Sequence, residues 1–364
     1  MLPMLVVIRP PGAAEGRTLA VGDDGRWEEP TGHEAEVLGS GWWALPGLVD
    51  SHAHLAADEL QLAPGVPGEI RNRAFACLEG GVFLVVDKGW CDSSVVATLT
   101  DAPPSEAPDF EGAARIVAVE GGYYPGFAEE TDPAGLSEVI HQAAGDGNGW
   151  VKLVGDWPRK GRGALPNFEP EHLKTVVEVS HAAGVRVAIH TMAPEVASWA
   201  VAAGVDSIEH GLFLTPEDLE ALADRAGGWV PTILRCEALI EALGAESSGG
   251  KLLAAGLENV ASLLREVPEG VDVLAGTDLA VPSAAVGREA TALIRHGLDP
   301  RRAVDAASTT AYSFTRRPAE FVVGAPADAV FFDRDPYEDP SALERPHRQR
   351  SGKSNCIKWI FELR

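Results

Sequence analysis

Short apolar runs alternate with amphipathic stretches along most of the chain. Eight of these runs predict strands, near residues 48, 82, 114, 150, 185, 205, 229 and 271. Helical patterns lie between them, for example at 69–79, 169–183 and 215–225. Eight parallel strands with intervening helices over about 260 residues are typical of a (β/α)8 TIM barrel, which we expect at 47–311.

The alternative is a doubly wound open sheet, but no glycine-rich phosphate-binding fingerprint follows any predicted strand. Outside the repeat, 1–46 contains short strand patterns and turn residues, and 324–333 is a turn followed by a strand. We therefore expect an α/β protein with a small β-sandwich domain built from both chain ends, 1–46 plus 312–364. The last twenty residues are basic and lack the usual pattern of a closing strand.

The composition is ordinary for a globular protein, with 45% hydrophobic and 23% charged residues among 364. A formal net charge of −24 argues against nucleic acid or an anionic membrane as a partner. The four cysteines form no CxxC pair, so neither a disulfide framework nor a thiolate zinc site is indicated. The N-terminal apolar run is too short for a signal peptide or membrane span. These features favour a cytoplasmic enzyme.

Polar side chains occupy the carboxyl ends of several predicted strands, where the active sites of TIM barrels lie. His52 and His54 are spaced i, i+2 on the first strand and so point the same way. The other residues in equivalent positions are Lys152, His190, His210 and Asp278. Together these nitrogen and oxygen ligands suit one or two divalent metals such as zinc.

Each of these residues has a structural alternative when taken singly. An isolated His-x-His pair can pack at a strand end, Lys152 can form a salt bridge, and Asp278 can cap the next helix. Because all six residues fall at strand ends, the shared explanation of a metal site is favoured over six independent ones.

The motifs around these residues resemble the amidohydrolase superfamily, and most closely its prolidase- and imidazolonepropionase-like hydrolases. The resemblance covers nearly the whole chain. It rests on Pro-Gly-Leu-Val-Asp-Ser-His-Ala-His (46–54), Trp-Val-Lys-Leu (150–153), Ala-Ile-His (188–190), Gly-Val-Asp-Ser-Ile-Glu-His-Gly (204–211), Trp-Val-Pro-Thr (229–232), Leu-Ala-Gly-Thr-Asp (274–278) and Gly-Ala-Pro-Ala-Asp-Ala-Val-Phe-Phe-Asp (324–333).

The resemblance implies a binuclear metal site. His52, His54 and Asp278 would hold the first divalent ion, and His190 and His210 the second. Zinc is the first expectation for both ions, with manganese, cobalt or iron as alternatives.

Lys152 would bridge the two ions after carbamylation by carbon dioxide, because a carbamate is an anionic bidentate oxygen ligand and an amine is not. The resemblance further implies a metal-bridging hydroxide that attacks a polarised carbonyl. Asp278 would pass the proton to the leaving amine. Asp50 and Glu209 are candidates for orienting the histidines, or are plain structural hydrogen bonders.

Substrate recognition is expected in the loops after the third and fourth strands, where Tyr123, Tyr124 and Arg162 would suit a carboxylate. The alternative is that the tyrosines pack the loop and the basic residues are solvated. Met192 replaces a polar residue common in relatives, and Lys88 and Trp90 are unusual after the second strand.

The leading hypothesis is a binuclear hydrolase of an amide C–N bond in a small-molecule substrate, of dipeptide or N-acyl amino acid type. A mononuclear aminohydrolase or cyclic-amide hydrolase is the alternative on the same fold. Lys152 favours the binuclear hydrolase, because deaminases of this type generally lack the lysine. A non-catalytic relative is a third option, opposed by the presence of all six ligands. Homo-oligomerisation stays open.

Overall fold

The computed structural model describes residues 4–31, 37–59, 62–159 and 162–349. Its strands are β1 (Met4–Ile8), β2 (Arg17–Val21), β3 (Trp27–Glu28), β4 (Val37–Leu38), β5 (Trp43–Leu45), β6 (Leu48–Ala53), β7 (Val82–Asp87), β8 (Asp109–Gly112), β9 (Ile116–Val119), β10 (Ala128–Thr131), β11 (Trp150–Val154), β12 (Asp156–Arg159), β13 (Gly163–Pro166), β14 (Arg186–Thr191), β15 (Ser207–His210), β16 (Gly228–Val230), β17 (Asp272–Val273), β18 (Ala329–Phe332) and β19 (His347–Gln349). Its α-helices are α1 (Pro67–Glu79), α2 (Ser94–Leu99), α3 (Leu136–Asp146), α4 (Pro170–Ala182), α5 (Pro194–Ala203), α6 (Pro216–Ala223), α7 (Ile233–Leu243), α8 (Ser248–Glu266), α9 (Gly287–Arg295), α10 (Pro300–Ala306) and α11 (Thr309–Phe314).

Two parallel sheets carry the strands that lead to the polar residues. One has seven strands in the order β10-β9-β11-β14-β15-β16-β17, and the other has the order β6-β7-β8. The Ser51 N–H of β6 donates to the Ala275 carbonyl just beyond β17, at 2.8 Å. At the opposite edge, the Gly112 N–H of β8 donates to the carbonyl of Asn148, close to β11. This mixed α/β arrangement is consistent with a TIM-barrel-like fold.

The strands form where the sequence is apolar without interruption. Every residue of β6, β7 and β11 is buried, as expected for parallel strands covered on both faces. The intervening helices bury one stripe each, such as Leu136, Ile140 and Ala143 on α3, spaced i, i+4 and i+7. Polar side chains in such strands are therefore confined to the strand ends or to buried networks.

The third predicted strand, near residue 114, forms as β9, and the structure adds a strand that the sequence did not predict. This strand, β8, precedes β9 across a short break and belongs to a different sheet. Gly112 lies at the break, where a Cβ atom would come within 2.7 Å of the Asp87 carbonyl oxygen. A side chain there would collide with β7. Backbone contact with the segment after β7 continues beyond Gly112, since the Trp90 N–H donates to the Ala114 carbonyl.

Both ends of the described chain meet in two small sheets, of order β3-β2-β1-β4 and β19-β18-β5. Strand β18 pairs antiparallel with β5, so that Phe331 lies opposite Ala44. Phe331 also shares a buried cluster with Val6, Leu19 and Trp27. Most of the predicted basic tail, from 350 onwards, lies outside the described residues. No helix in the described ranges has both the length and the apolar character needed to cross a membrane.

Candidate active site

Three of the residues predicted as metal ligands cluster at one end of the parallel strands. His52, His54 and Asp278 are buried and offer ligand atoms within 4.8 Å of one another. The Nε2 atoms of His52 and His54 lie 3.5 and 3.4 Å from Asp278 Oδ1. These atoms could hold a metal ion.

A second histidine pair lies beside this cluster. His210 Nε2 is 2.8 Å from His190 Nδ1, and the ring centroids of His210 and His52 are 5.4 Å apart. His210 Nδ1 is also 2.6 Å from the hydroxyl oxygen of Thr232. All four histidines predicted from the sequence therefore meet in one buried region.

The amine of Lys152 is the least satisfied polar group of the site. Its side chain is buried, and Nζ has no hydrogen-bond partner among the described residues. Burial, and then the positive charge of Lys88, lower the pKa of Lys152 to about 8 against the opposing effect of Glu209 and Asp278. Near neutral pH, the neutral form of the amine is therefore a minority but a larger one than for an exposed lysine.

Two of the imidazoles are oriented by partners at their Nδ1 atoms. His52 Nδ1 lies 2.6 Å from Glu209 Oε2, and the Nδ1–H of His54 donates to the Gly89 carbonyl at 2.7 Å. These contacts turn both Nε2 atoms toward Asp278, which is how metal-binding histidines are oriented. Asp50 stabilises the backbone instead, because its carboxylate accepts hydrogen bonds from the backbone N–H groups of His52 and Thr277.

The protonation states suit ligands. Burial lowers the pKa of His52 to about 4 and that of His210 to about 3, and it holds the pKa of His190 well below its usual value. Burial raises the pKa of Asp278, but His52, His54 and His210 outweigh it and hold that pKa well below its ordinary range. Neutral imidazoles and an ionised carboxylate are the forms that bind divalent metals.

The backbone is strained at the same place. His210, Thr232 and Asp278 have φ angles of 64°, 47° and 42°, in the left-handed region that residues with a Cβ rarely adopt. Such strain is found at functional sites more often than elsewhere. His210 is the last residue of β15, whereas Thr232 and Asp278 lie in the segments that follow β16 and β17.

A cavity of about 210 Å³ opens over the histidines and Asp278. One wall is aromatic, with Trp157 packed against Tyr123 and Tyr124 at centroid distances of 4.7 and 4.6 Å. The opposite wall is aliphatic and is formed by Leu239, Leu243, Leu252 and Leu253 from α7 and α8. Of the predicted substrate-binding residues, the two tyrosines line this cavity.

Arg162 does not line the cavity. It is exposed in the turn between β12 and β13, and its backbone N–H donates to the Arg159 carbonyl. The guanidinium that does reach the cavity belongs to Arg235, on the first turn of α7. The sequence analysis did not identify Arg235.

Comparisons with known proteins bear on the family and the fold of this chain. Residues 158–357, more than half of the chain, match the sequence model of the Amidohydrolase family. The matched segment includes His190, His210 and Asp278. The uncharacterized protein Rv2915c of Mycobacterium tuberculosis is 31% identical over 339 residues, which cover 89% of this chain and 88% of that protein.

Several solved structures share the fold. A Xaa-Pro dipeptidase with bound methionine in the active site is 20% identical, with a TM-score of 0.77 and coverage of 96% of this chain and 98% of that one. A Bifidobacterium longum protein assigned as a prolidase is 22% identical, with a TM-score of 0.78 and coverage of 96% and 94%. An ochratoxinase from A. niger is 18% identical, with a TM-score of 0.76 and coverage of 94% and 92%.

Proposed function

Because this chain belongs to the amidohydrolase family and is a metal-dependent hydrolase of C–N bonds, we propose that it cleaves an amide bond of dipeptide or N-acyl amino acid type at a binuclear centre. The observation that carries the binuclear assignment is the buried, partnerless amine of Lys152. Lys152 lines the same cavity as both histidine pairs.

We propose that the two parallel sheets form one (β/α)8 barrel over 47–311. The hydrogen bonds from Ser51 to Ala275 and from Gly112 to Asn148 support closure at both edges. The small sheets would form a β-sandwich domain from 1–46 and 312–364. Helix α11 crosses this boundary and packs Tyr312 against the barrel strands.

His52, His54 and Asp278 would hold the first metal, and His190 and His210 the second. Their donor chemistry fits this assignment, since neutral imidazoles and an ionised carboxylate are borderline ligands suited to zinc, with manganese, cobalt or iron as alternatives. When bound, the ions would supply Lewis-acid polarisation of the substrate carbonyl and activation of water.

Lys152 would join the two halves as a carbamate. Its amine fits this role because burial favours the neutral, nucleophilic form, which adds to carbon dioxide and releases one proton. No competing hydrogen bond holds Nζ among the described residues, so the carbamate formed on Lys152 can turn toward both histidine pairs.

Proton transfer would fall to Asp278. Its carboxylate is ionised and faces the cavity, and so it can accept a proton and deliver it to the departing amine nitrogen. Burial raises the pKa of Tyr123 far above neutral pH, so its hydroxyl remains a neutral donor. Tyr123, Tyr124 and the leucines would exclude water around the scissile bond. Substrate binding by Arg162 and a cytoplasmic location stay predictions.

The test is a screen of the zinc- or manganese-loaded protein, with bicarbonate, against N-acyl amino acids and dipeptides. We expect two metals per chain and amide hydrolysis that Lys152→Ala abolishes together with the second metal. The exposed Lys174→Ala is the matched control and should behave as wild type. One metal per chain with unmodified Lys152 would favour the mononuclear aminohydrolase or cyclic-amide hydrolase, and full activity in Lys152→Ala would refute the mechanism.

A further inference from the structure

Arg235 places a largely buried cation at the cavity wall with little to balance it. Its side chain is 19% exposed, and its closest carboxylate contact is 3.9 Å, from Nε to Asp278 Oδ2. Within the described part of the chain, its guanidinium makes no hydrogen bond. A guanidinium has five N–H donors and rarely leaves all of them unused when most of it is out of water. The geometry indicates a site for an anion.

The helix that carries Arg235 also carries the aliphatic wall. Arg235, Leu239 and Leu243 are spaced i, i+4 and i+8 on α7, so they line one stripe that faces the cavity. The charge lies at the inner end, near Asp278, and the outer end is Leu243, which is 53% exposed. Leu252 and Leu253 of α8 widen the apolar surface. From the inner end of the cavity outward, the stripe therefore presents a charged group and then an apolar surface.

We propose that Arg235 binds the α-carboxylate of the amino acid released on hydrolysis, and that the leucines of α7 and α8 contact its apolar side chain. The inference rests on the proposed function and names its leaving group. An α-carboxylate is one carbon away from the scissile nitrogen. A group that binds it must therefore lie beside the residue that protonates that nitrogen, and Arg235 lies beside Asp278. A guanidinium can bind the carboxylate through two parallel hydrogen bonds.

The rest of the cavity lining supports a leaving group that carries a carboxylate and an apolar side chain. The other cationic side chain that lines it is Lys152, which the proposed function occupies. The carboxylate of Asp156 is engaged, since both its oxygens accept from the Met192 N–H at 3.1 Å. A basic side chain on the leaving amino acid would find no free acid in this lining, whereas a leucine-like side chain finds four leucines.

The kinetic test compares acyl-leucine substrates with acyl-leucinol analogues, which carry an alcohol in place of the carboxylate. Both N-acetyl and glycyl derivatives are used. We expect Arg235→Met to raise KM for the acids roughly 10- to 100-fold, the range for a lost charge-assisted hydrogen bond. Its KM for the alcohols should stay near that of wild type. Arg71→Met, at an exposed position on α1 outside the cavity lining, is the matched control and should change neither KM. An equal change for acids and alcohols would overturn the carboxylate assignment.

The side-chain assignment has its own comparison, between N-acetyl-L-leucine and N-acetylglycine. The wild type should favour leucine, and Leu239→Ala should narrow that preference, since each buried methylene contributes to discrimination. If the wild type treats the two substrates alike, the apolar half of the proposal is wrong.

Binding of the product separates this inference from the proposed function. Calorimetry with zinc-loaded protein should show L-leucine binding that Arg235→Met weakens and Arg71→Met preserves. If the wild type hydrolyses none of the amides, the proposed function fails, and the binding result alone decides the role of Arg235. Equal leucine binding by wild type and Arg235→Met overturns the inference even where hydrolysis is observed.

Discussion

Lys88 Nζ lies 3.1 Å from Glu209 Oε1, with both side chains at most 2% exposed. The second oxygen of the same carboxylate lies 2.6 Å from His52 Nδ1. Burial raises the pKa of Glu209, but Lys88, Lys152 and His52 outweigh it and hold the pKa well below its usual range. One buried charge thus links a lysine from the end of β7 to a proposed metal ligand on β6.

Lys88→Met should destabilise the protein strongly. The substitution keeps the apolar stem but leaves the Glu209 carboxylate buried with one partner fewer, which typically costs about 3–5 kcal/mol of unfolding free energy. Urea unfolding of the metal-free protein measures the loss. Lys174→Met, whose lysine is 71% exposed and 3.9 Å from Glu178, should stay within about 0.5 kcal/mol of wild type. Similar losses in the two variants would mean that the buried pair contributes nothing.

Gly276→Ala should damage the metal site through packing. A Cβ atom at Gly276 would come within 2.5 Å of His52 Cβ and 2.6 Å of Val230 Cγ1. Overpacking of this kind costs about 1–3 kcal/mol, and here it would displace His52 and weaken zinc binding. Gly145→Ala is the control, because no neighbouring atom lies within 4 Å and the helix should gain about 0.5–1 kcal/mol. Unchanged zinc affinity in Gly276→Ala would contradict the expectation.

Glu289 should make stability fall as the pH rises. Burial raises its folded-state pKa to about 8 from an ordinary 4.5, and Asp50 and Glu237 add to the shift against two backbone N–H donors on α7. Between these two values the folded state keeps a proton that the unfolded state releases. The contribution of Glu289 to stability is therefore full below about pH 4.5 and declines by at most about 1.4 kcal/mol per pH unit up to pH 8.

The measurement is the unfolding free energy of wild type minus that of Glu289→Gln across this pH range. The difference should decrease steadily from pH 5 to pH 8, because glutamine does not titrate. Glu220→Gln, at an exposed position on α6, controls for loss of a carboxylate in general. A difference that is flat with pH would show that Glu289 titrates normally.

The sequence was informative about the site wherever a residue type is costly to bury. Histidine, lysine and aspartate at the ends of apolar strands stand out because a buried strand does not otherwise tolerate them. This is why all four histidines, Lys152 and Asp278 could be predicted, and the structure brings them into one region. The family prediction is confirmed by the match to the Amidohydrolase model.

What the sequence did not reveal depends on three-dimensional packing. Arg235 is one charge on an amphipathic helix, where arginine is commonplace, and only the folded position of α7 aims it at Asp278. Lys88 was noticed as unusual, but its partner Glu209 is far away in sequence. The placement of β8 and β9 in different sheets is likewise a matter of strand pairing in the folded chain, which a strand pattern does not record.

The hydrogen bonds that join Asp50 to Thr277 span 227 residues. At a translation rate of about 5–20 residues per second, His52 and His54 leave the ribosome roughly 10–45 s before Asp278 does. During that interval His52 and His54 lack the third residue of their cluster, Asp278. A metal ion held jointly by His52, His54 and Asp278 would therefore gain its full set of ligands only after the chain has been synthesised past Asp278.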